Sequence, residues 1–361
     1  MTRRCRGCAK TALTPVLDLG TVPAADHFPP RDTPIATLEV GHPLRMDRCA
    51  ACGLAQLADD DTVTAEPRGI EPQALRDQAA EAVRLVHDAG LLRGSTVTEF
   101  GSPHGGTWLP LLDEHGFSEI ADGPADVVLD CFGIMHEPDQ RAAFAARAAA
   151  TAPDGVLLVQ YHSLATIVAQ GQWNALRHGH FAYYSLDTLR TLLRAAGMSV
   201  VTAWEFDLYG GTVLLAVRHG EHAPDPTVRR ILTTEADSLR AIAGLQETVD
   251  SHVGTLRDWL DGGAAQGHRV YAYGAASRAV ALLSMAGAHR GLLAGVADAS
   301  PAKQGCRMPG TDVPIISPAD LVAADPDVVL LTLPDLLAEV SAGLPELDGR
   351  WIIDDPAGPR R

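Results

Sequence analysis

Two short cysteine pairs, Cys5-Arg-Gly-Cys8 and Cys49-Ala-Ala-Cys52, constrain this chain more than any other feature. A two-residue spacer lets both thiolates of one turn reach a single ion. Two such turns complete a tetrahedron, the geometry in which Zn2+ is held at structural sites. Residues 9–48 separate the pairs, so the intervening chain must fold back and bring its two ends together. With four protein ligands no position remains for water or substrate, and the expected zinc is structural. Residues 1–57 are rich in Pro, Gly and isolated apolar residues, which suits a small loop-rich module in need of such a staple. The segment Met1 to Lys10 is polar and basic, unlike a secretion signal. A reducing cytoplasm is therefore expected, where cysteines serve as ligands or free thiols rather than disulfides. Cys131 and Cys306 are expected to pack as small hydrophobes.

The chain has 361 residues, enough for two to three domains, and at 46% hydrophobic content it can bury a substantial core. Its 29 basic and 45 acidic residues leave a formal charge of −16. That balance argues against nucleic-acid or anionic-membrane partners, which need clustered positive charge. No apolar run approaches the roughly 20 residues of a membrane span.

Periodicity then changes along the chain. Residues 73–92 keep helical spacing up to Gly90. Strand-like runs follow at 96–100, 126–132 and 155–160, with an Ala-rich helix at 140–150 between the last two. Strand–helix alternation of this kind predicts a parallel α/β sheet. A helix at 186–197 and two short strands broken by Gly210-Gly211 complete this part. From 225 to about 260 the apolar positions keep a helical period over one long helix or two stacked ones, linking to a last α/β unit. The predicted fold is α/β in three parts: residues 1–70 a zinc module, 71–224 a Rossmann-like domain, and 225–361 a linking helix plus a second Rossmann-like domain.

Several motifs together resemble the zinc-containing nucleotide-sugar C-methyltransferases. They are the first CxxC with Leu17-Asp-Leu-Gly20, the second in Cys49-Ala-Ala-Cys-Gly-Leu-Ala-Gln56, and the block His178-Gly-His180-Phe-Ala-Tyr-Tyr-Ser-Leu186. Gly210-Gly211-Thr212, Tyr273-Gly-Ala-Ala276, Asp298-Ala-Ser-Pro-Ala-Lys-Gln-Gly305 and Pro309-Gly-Thr311 extend the likeness across nearly the whole chain. The resemblance implies a methyltransferase domain binding S-adenosylmethionine and acting on carbon next to the 4-keto group of a thymidine-diphosphate deoxysugar. It places His180 as the base that removes the proton alpha to the ketone, with His178 beside it. A histidine suits that task because its ordinary pKa lies near neutrality. Gly101, Gly105 and Gly106 fall on the cofactor loop, and Tyr183, Arg278 and Lys303 on the substrate side. Arg278 and Lys303 could meet a diphosphate.

The sequence also departs from that pattern. Pro103-His104 stands where the family has a polar Asn-Asp pair, and Arg177-His178-Gly179-His180 has lost a phenol and a carboxylate. Ala65 to Pro72 lacks the aromatic residues expected there. A length argument goes further. Asp122 is the candidate acid for holding a ribose, yet the strand starting at Asp126 follows four residues later. Parallel strands need crossovers of about a dozen residues or more, so the second and third strands of the cofactor sheet are expected to be missing, weakening the methyl-donor site. Three readings follow: C-methylation, a methyl-donor-independent epimerisation, isomerisation or elimination using His180, or a non-catalytic partner protein.

Overall fold

The computed structural model describes residues 3–62, 71–103 and 105–361, with only the backbone of Leu38. The segment 63–70, with most of the aromatic-poor stretch, and His104 lie outside the described residues.

The first part is a small antiparallel sheet. β1 (Leu13–Val22) pairs with β2 (His42–Cys49), which pairs with β3 (Ala55–Leu57). Both cysteine turns are closed by backbone hydrogen bonds, Ala9 N–H to Cys5 O at 2.9 Å and Gly53 N–H to Cys49 O at 2.9 Å. In each turn the residue after the second cysteine is left-handed, Ala9 at φ 60° and Gly53 at φ 82°. The two turns thus share one shape despite their separation in sequence.

The second part is a six-stranded sheet. α1 (Gln73–Asp88) leads into β4 (Thr96–Phe100), α2 (Leu109–Asp113), β5 (Ser118–Glu119) and β6 (Ala125–Cys131). Next come α3 (Gln140–Ala150), β7 (Thr151–His162), α4 (Leu164–Ala169), β8 (Ala182–Tyr183), α5 (Leu186–Ala195), β9 (Met198–Phe206) and β10 (Thr212–His219). The strand order is β5-β4-β6-β7-β10-β9, parallel from β5 to β7 with an antiparallel β9–β10 pair at the far side. Asp139 and Ser185 cap α3 and α5 by accepting the N–H groups of Ala142 and Thr188, which fixes where each helix begins.

The expected shortening of this sheet has a definite form. The second strand is not missing but survives as the two-residue β5, and among the described residues no third strand lies beyond it. β5 pairs only with Thr96 and Val97, at the start of β4, while Val97 also pairs with Val127 of β6. Chain leaving Glu119 therefore has to travel back only a residue or two in height before β6 begins. The dozen-residue requirement applies to strands that run the full depth of a sheet, and β5 avoids it by being so short.

β8 belongs to the other sheet. It pairs antiparallel with β3, Ala55 opposite Tyr183 and Gln56 opposite Ala182, so the middle domain supplies the fourth strand of the zinc module. Gly7 faces α5, where an added Cβ would lie 2.7 Å from a Leu192 methyl group.

α6 (Pro226–Ser238), a 3-10 turn and α7 (Leu245–Ala265) form the link. The last part has five parallel strands in the order β13-β12-β11-β14-β15. They are β11 (Val270–Tyr273), β12 (Val296–Ala297), β13 (Ile315–Ile316), β14 (Val328–Leu331) and β15 (Trp351–Ile353), with α8 (Ser277–Met285), α9 (Pro318–Ala323) and α10 (Leu337–Gly343) around them. Buried Trp173 joins the parts: its Nε1–H donates to His252 Nδ1 of α7, and His252 Nε2 meets Asp354 at 2.8 Å. No described helix is long and apolar enough to cross a membrane.

Candidate active site

The Sγ atoms of Cys5, Cys8, Cys49 and Cys52 all lie within 4.8 Å of one another, with Cys5 and Cys52 3.5 Å apart. The Cys52 thiol donating to Cys5 pulls Cys5 down to about 5. Four converging sulfur atoms, with the Cys5 thiol drawn toward its ionised form, fit a tetrahedral zinc ion. The site is closed and shares no residue with the cavity that holds His180.

That cavity, of about 260 Å³, opens where the middle and last domains face each other. One wall is the loop after β4, with Gly101, Gly105 and Gly106. Glu99 organises it, accepting the Trp108 N–H at 2.9 Å and the Thr107 hydroxyl at 2.6 Å, which starts α2. Gly106 has φ 80°, and a Cβ there would sit 2.4 Å from the Glu71 carboxylate. Asp122 does not line the cavity: it follows β5 at the opposite, strand-starting edge of the sheet. The acids that do are Glu71 and Glu99, which the spacing argument missed because it presumed a full second strand.

The opposite wall carries His180 and Tyr183 from the β8 block, Arg177, and Arg278 and Lys303 from the last domain. His180 is buried, and its Nε2 accepts from Arg177 Nε at 2.8 Å. The His136 ring packs edge-on to it with centroids 4.4 Å apart. The Tyr183 hydroxyl accepts the Arg177 N–H at 3.0 Å and donates to Ala175 O at 3.3 Å. Burial pushes that phenol well above its ordinary range, so it is a fixed neutral hydroxyl. Arg278 donates to Asn174 at 3.0 Å and keeps a buried Nε–H without a partner among the described residues. The Lys303 ammonium donates to Ala275 O at 2.9 Å and sits 4.9 Å over the Phe28 ring.

His178 is placed elsewhere. It does not line the cavity; its Nε2 donates to Pro43 O at 3.2 Å, and its ring packs against His42 of the zinc module. Burial lowers its pKa, and it acts as a spacer between module and block. Tyr184 also faces the core, bonded to Gln140. Cys131 packs against the core as expected and also lines the cavity, and burial lifts its thiol well above its ordinary range.

Two aromatic residues of the cavity have left-handed backbones, Phe132 at φ 62° and Tyr209 at φ 57°, with rings edge to face at 6.3 Å. Such conformations cost free energy in non-glycine residues and persist only where neighbours over-determine them. At Phe132 the brace is Asp130, fully buried, which accepts the N–H groups of Gly133 and Ile134 and pairs with Arg147 at 2.8 Å. Neither residue was legible as a site residue, since nothing in a sequence marks a positive φ at Phe or Tyr.

Three family profiles tile the chain: a zinc binding domain over residues 5–66, a methyltransferase domain over 74–203, and a C-methyltransferase C-terminal domain over 207–356. No one profile covers half of the chain, but together they span most of it, so the chain carries C-methyltransferase domains beside a zinc binding domain. The C-methyltransferase NovU of Streptomyces niveus is 28% identical over 258 residues, which is 68% of this chain but only 59% of that relative's length. Among solved structures, the 1,6-didemethyltoxoflavin N1-methyltransferase of Burkholderia thailandensis is 18% identical with a TM-score of 0.30, covering 46% of this chain and 96% of that one. The magnesium protoporphyrin IX methyltransferase of Synechocystis is 13% identical with a TM-score of 0.29, covering 42% and 89%.

Proposed function

We propose that the chain methylates carbon next to the ketone of a nucleotide-linked keto-deoxysugar in secondary metabolism, using S-adenosylmethionine, with His180 as the base. One observation carries the reading: a single cavity joins the loop of Gly101, Gly105 and Gly106 to His180 and to the cations Arg278 and Lys303. The loop suits the methyl donor, because a Cβ at Gly101 or Gly105 would meet nothing and the backbone there is open to a ligand. Bound at that wall, the cofactor would supply an electrophilic methyl group.

The remaining work falls to the chain's own groups. His180 takes the acidic C–H proton at the Nε2 lone pair that Arg177 now occupies, so the acceptor must displace Arg177. The displaced guanidinium then stands beside the developing enolate oxygen as a preorganised cation. Arg278 and Lys303 face the acceptor from the last domain, where a diphosphate would meet both.

The test is labelled methyl transfer from S-adenosylmethionine to a thymidine-diphosphate 4-keto-deoxysugar. His180→Asn is expected to lower the rate by about 10²- to 10⁴-fold, with unchanged affinity for S-adenosylhomocysteine by calorimetry. Failure of the wild type to bind either cofactor form would overturn the reading. A second reading, proton transfer without a methyl donor, draws support from the position of Asp122 and the stub of β5. Solvent deuterium entering the keto sugar without cofactor, with no methyl transfer in its presence, would select it.

A further inference from the structure

In the cavity wall, two side chains of β7 carry buried polar atoms without hydrogen-bond partners among the described residues. Gln160 is fully buried, and neither its amide nitrogen nor its carbonyl oxygen is paired. His162 lies two residues on and therefore on the same face of the strand, with Nε2 buried and likewise unpaired. Both line the cavity. Buried polar atoms are almost always satisfied in a working protein, and exceptions at a cavity wall point to a ligand.

We infer that Gln160 and His162 form a neutral polar floor that reads a hydroxyl group, with an adjoining oxygen, on the acceptor sugar. The inference deepens the methyl-transfer reading and rests on it for the class of acceptor.

Position assigns the floor to the acceptor rather than the cofactor. In open α/β sheets the cofactor lies where strand order reverses, here between β4 and β6, whose loops carry the glycine wall and Phe132. β7 is one strand further, and the charges of Arg177 and Arg278 act on its His162.

Chemistry then selects the ligand. Gln160 offers an N–H donor and an oxygen acceptor, and only a group that both donates and accepts satisfies the two together. A carbonyl would leave the Gln160 oxygen bare, and a carboxylate or phosphate would be repelled by it. An ammonium group would meet the positive charge of Arg177 and Arg278. A hydroxyl fits all of these conditions. Burial and the two nearby guanidiniums push His162 down to about 3, so it meets the neighbouring oxygen as an uncharged imidazole.

The experiment is calorimetry on the full chain with S-adenosylhomocysteine present, so that no turnover is needed. The probes are thymidine-diphosphate 4-keto-6-deoxyglucose and its congeners lacking the 2- or 3-hydroxyl. Wild type is expected to bind the parent about ten- to a hundredfold more tightly than one of the congeners, since the buried amide is left unpaired without the hydroxyl. Gln160→Leu, of similar volume, is expected to bind parent and congener equally and weakly, the two losses not adding. Full discrimination retained in Gln160→Leu, as when water alone satisfies the amide, overturns the inference. So does a wild type that binds all probes alike or none. Should Gln160→Leu not fold, Gln160→Glu takes its place, since it keeps the size while losing the donor. Methyl transfer assayed separately keeps the two readings apart. Discrimination without transfer sinks only the transfer, and transfer with discrimination intact in Gln160→Leu sinks only the polar floor.

Discussion

At one end of the cavity His180 is clamped between two sheets; at the other, Gly101 to Gly106 hang from a sheet that is running out of strands. The His180 block is held by β8 pairing with β3, by Phe181 N–H on Met135 O at 2.8 Å, and by Gly179 N–H on the Asp60 carboxylate at 2.8 Å. The glycine loop is organised mainly from within, by Glu99 and a Ser102–Gly105 turn, and the sheet beyond β4 is two residues of β5. The zinc module therefore does more than decorate the fold: it is half of the frame for the proposed base.

Breaking the frame should produce the largest effect. Structural zinc in small modules contributes apparent binding free energies of about 10–16 kcal/mol, far more than a module of this size retains without it. Chelation, or Cys49→Ser, is expected to unfold residues 5–57, release β8 and abolish turnover, while the six-stranded sheet keeps its far-ultraviolet signature. Zinc content, thermal melting and activity measured together check this. Full activity in metal-free protein would show that the His180 block stands without the module.

The other end should break more gently. Gly106 is left-handed, and an alanine there carries about 1–2 kcal/mol of backbone strain. The clash with Glu71 adds little, because that flexible carboxylate can swing aside. Gly106→Ala is expected to weaken S-adenosylmethionine binding roughly five- to thirtyfold and to leave acceptor binding and melting temperature nearly unchanged. An equal loss of acceptor affinity would mean that the two walls are not independent.

Sequence legibility follows the same divide. The cysteine turns were readable because metal geometry dictates spacing directly, and the strands at 96–100 and 125–131 because their residues are apolar and bounded by turns. His180, Tyr183, Arg278 and Lys303 were placed by resemblance, and the chain folds them into one cavity. Asp122 and His178 failed for different reasons. Asp122 was chosen by counting along a strand that is barely formed; His178 shares a motif with His180, but its neighbour Gly179, at φ 76°, turns the two rings apart. Gln160 and His162 carried no signal at all, since a polar residue at the end of a strand reads as solvated until the last domain covers it. The short strands β13 and β15 were likewise invisible, being too brief for any periodicity.

The smallest expected effect concerns the brace that the linking helix adds to the acceptor end. Glu235 of α6 is buried; it accepts the Ser163 hydroxyl at 2.7 Å, beside His162, and the Leu186 N–H at 2.6 Å, just past the β8 block. Burial raises its carboxyl to about 7, against 4.5 when unburied. Between those values the folded chain holds a proton that the unfolded chain has released, so stability must fall as pH rises across that window and level off above it. His162 contributes with the opposite sign, since its folded pKa lies near 3 and stability from it grows as pH rises toward 6.5. Raw melting curves would blend the two, and the difference between wild type and Glu235→Gln isolates the glutamate. Urea midpoints from pH 5 to 8 are expected to decline more steeply with pH in the wild type than in Glu235→Gln. Parallel profiles would show that Glu235 keeps its charge when folded, and that the acceptor end is braced by an ionised rather than a neutral group.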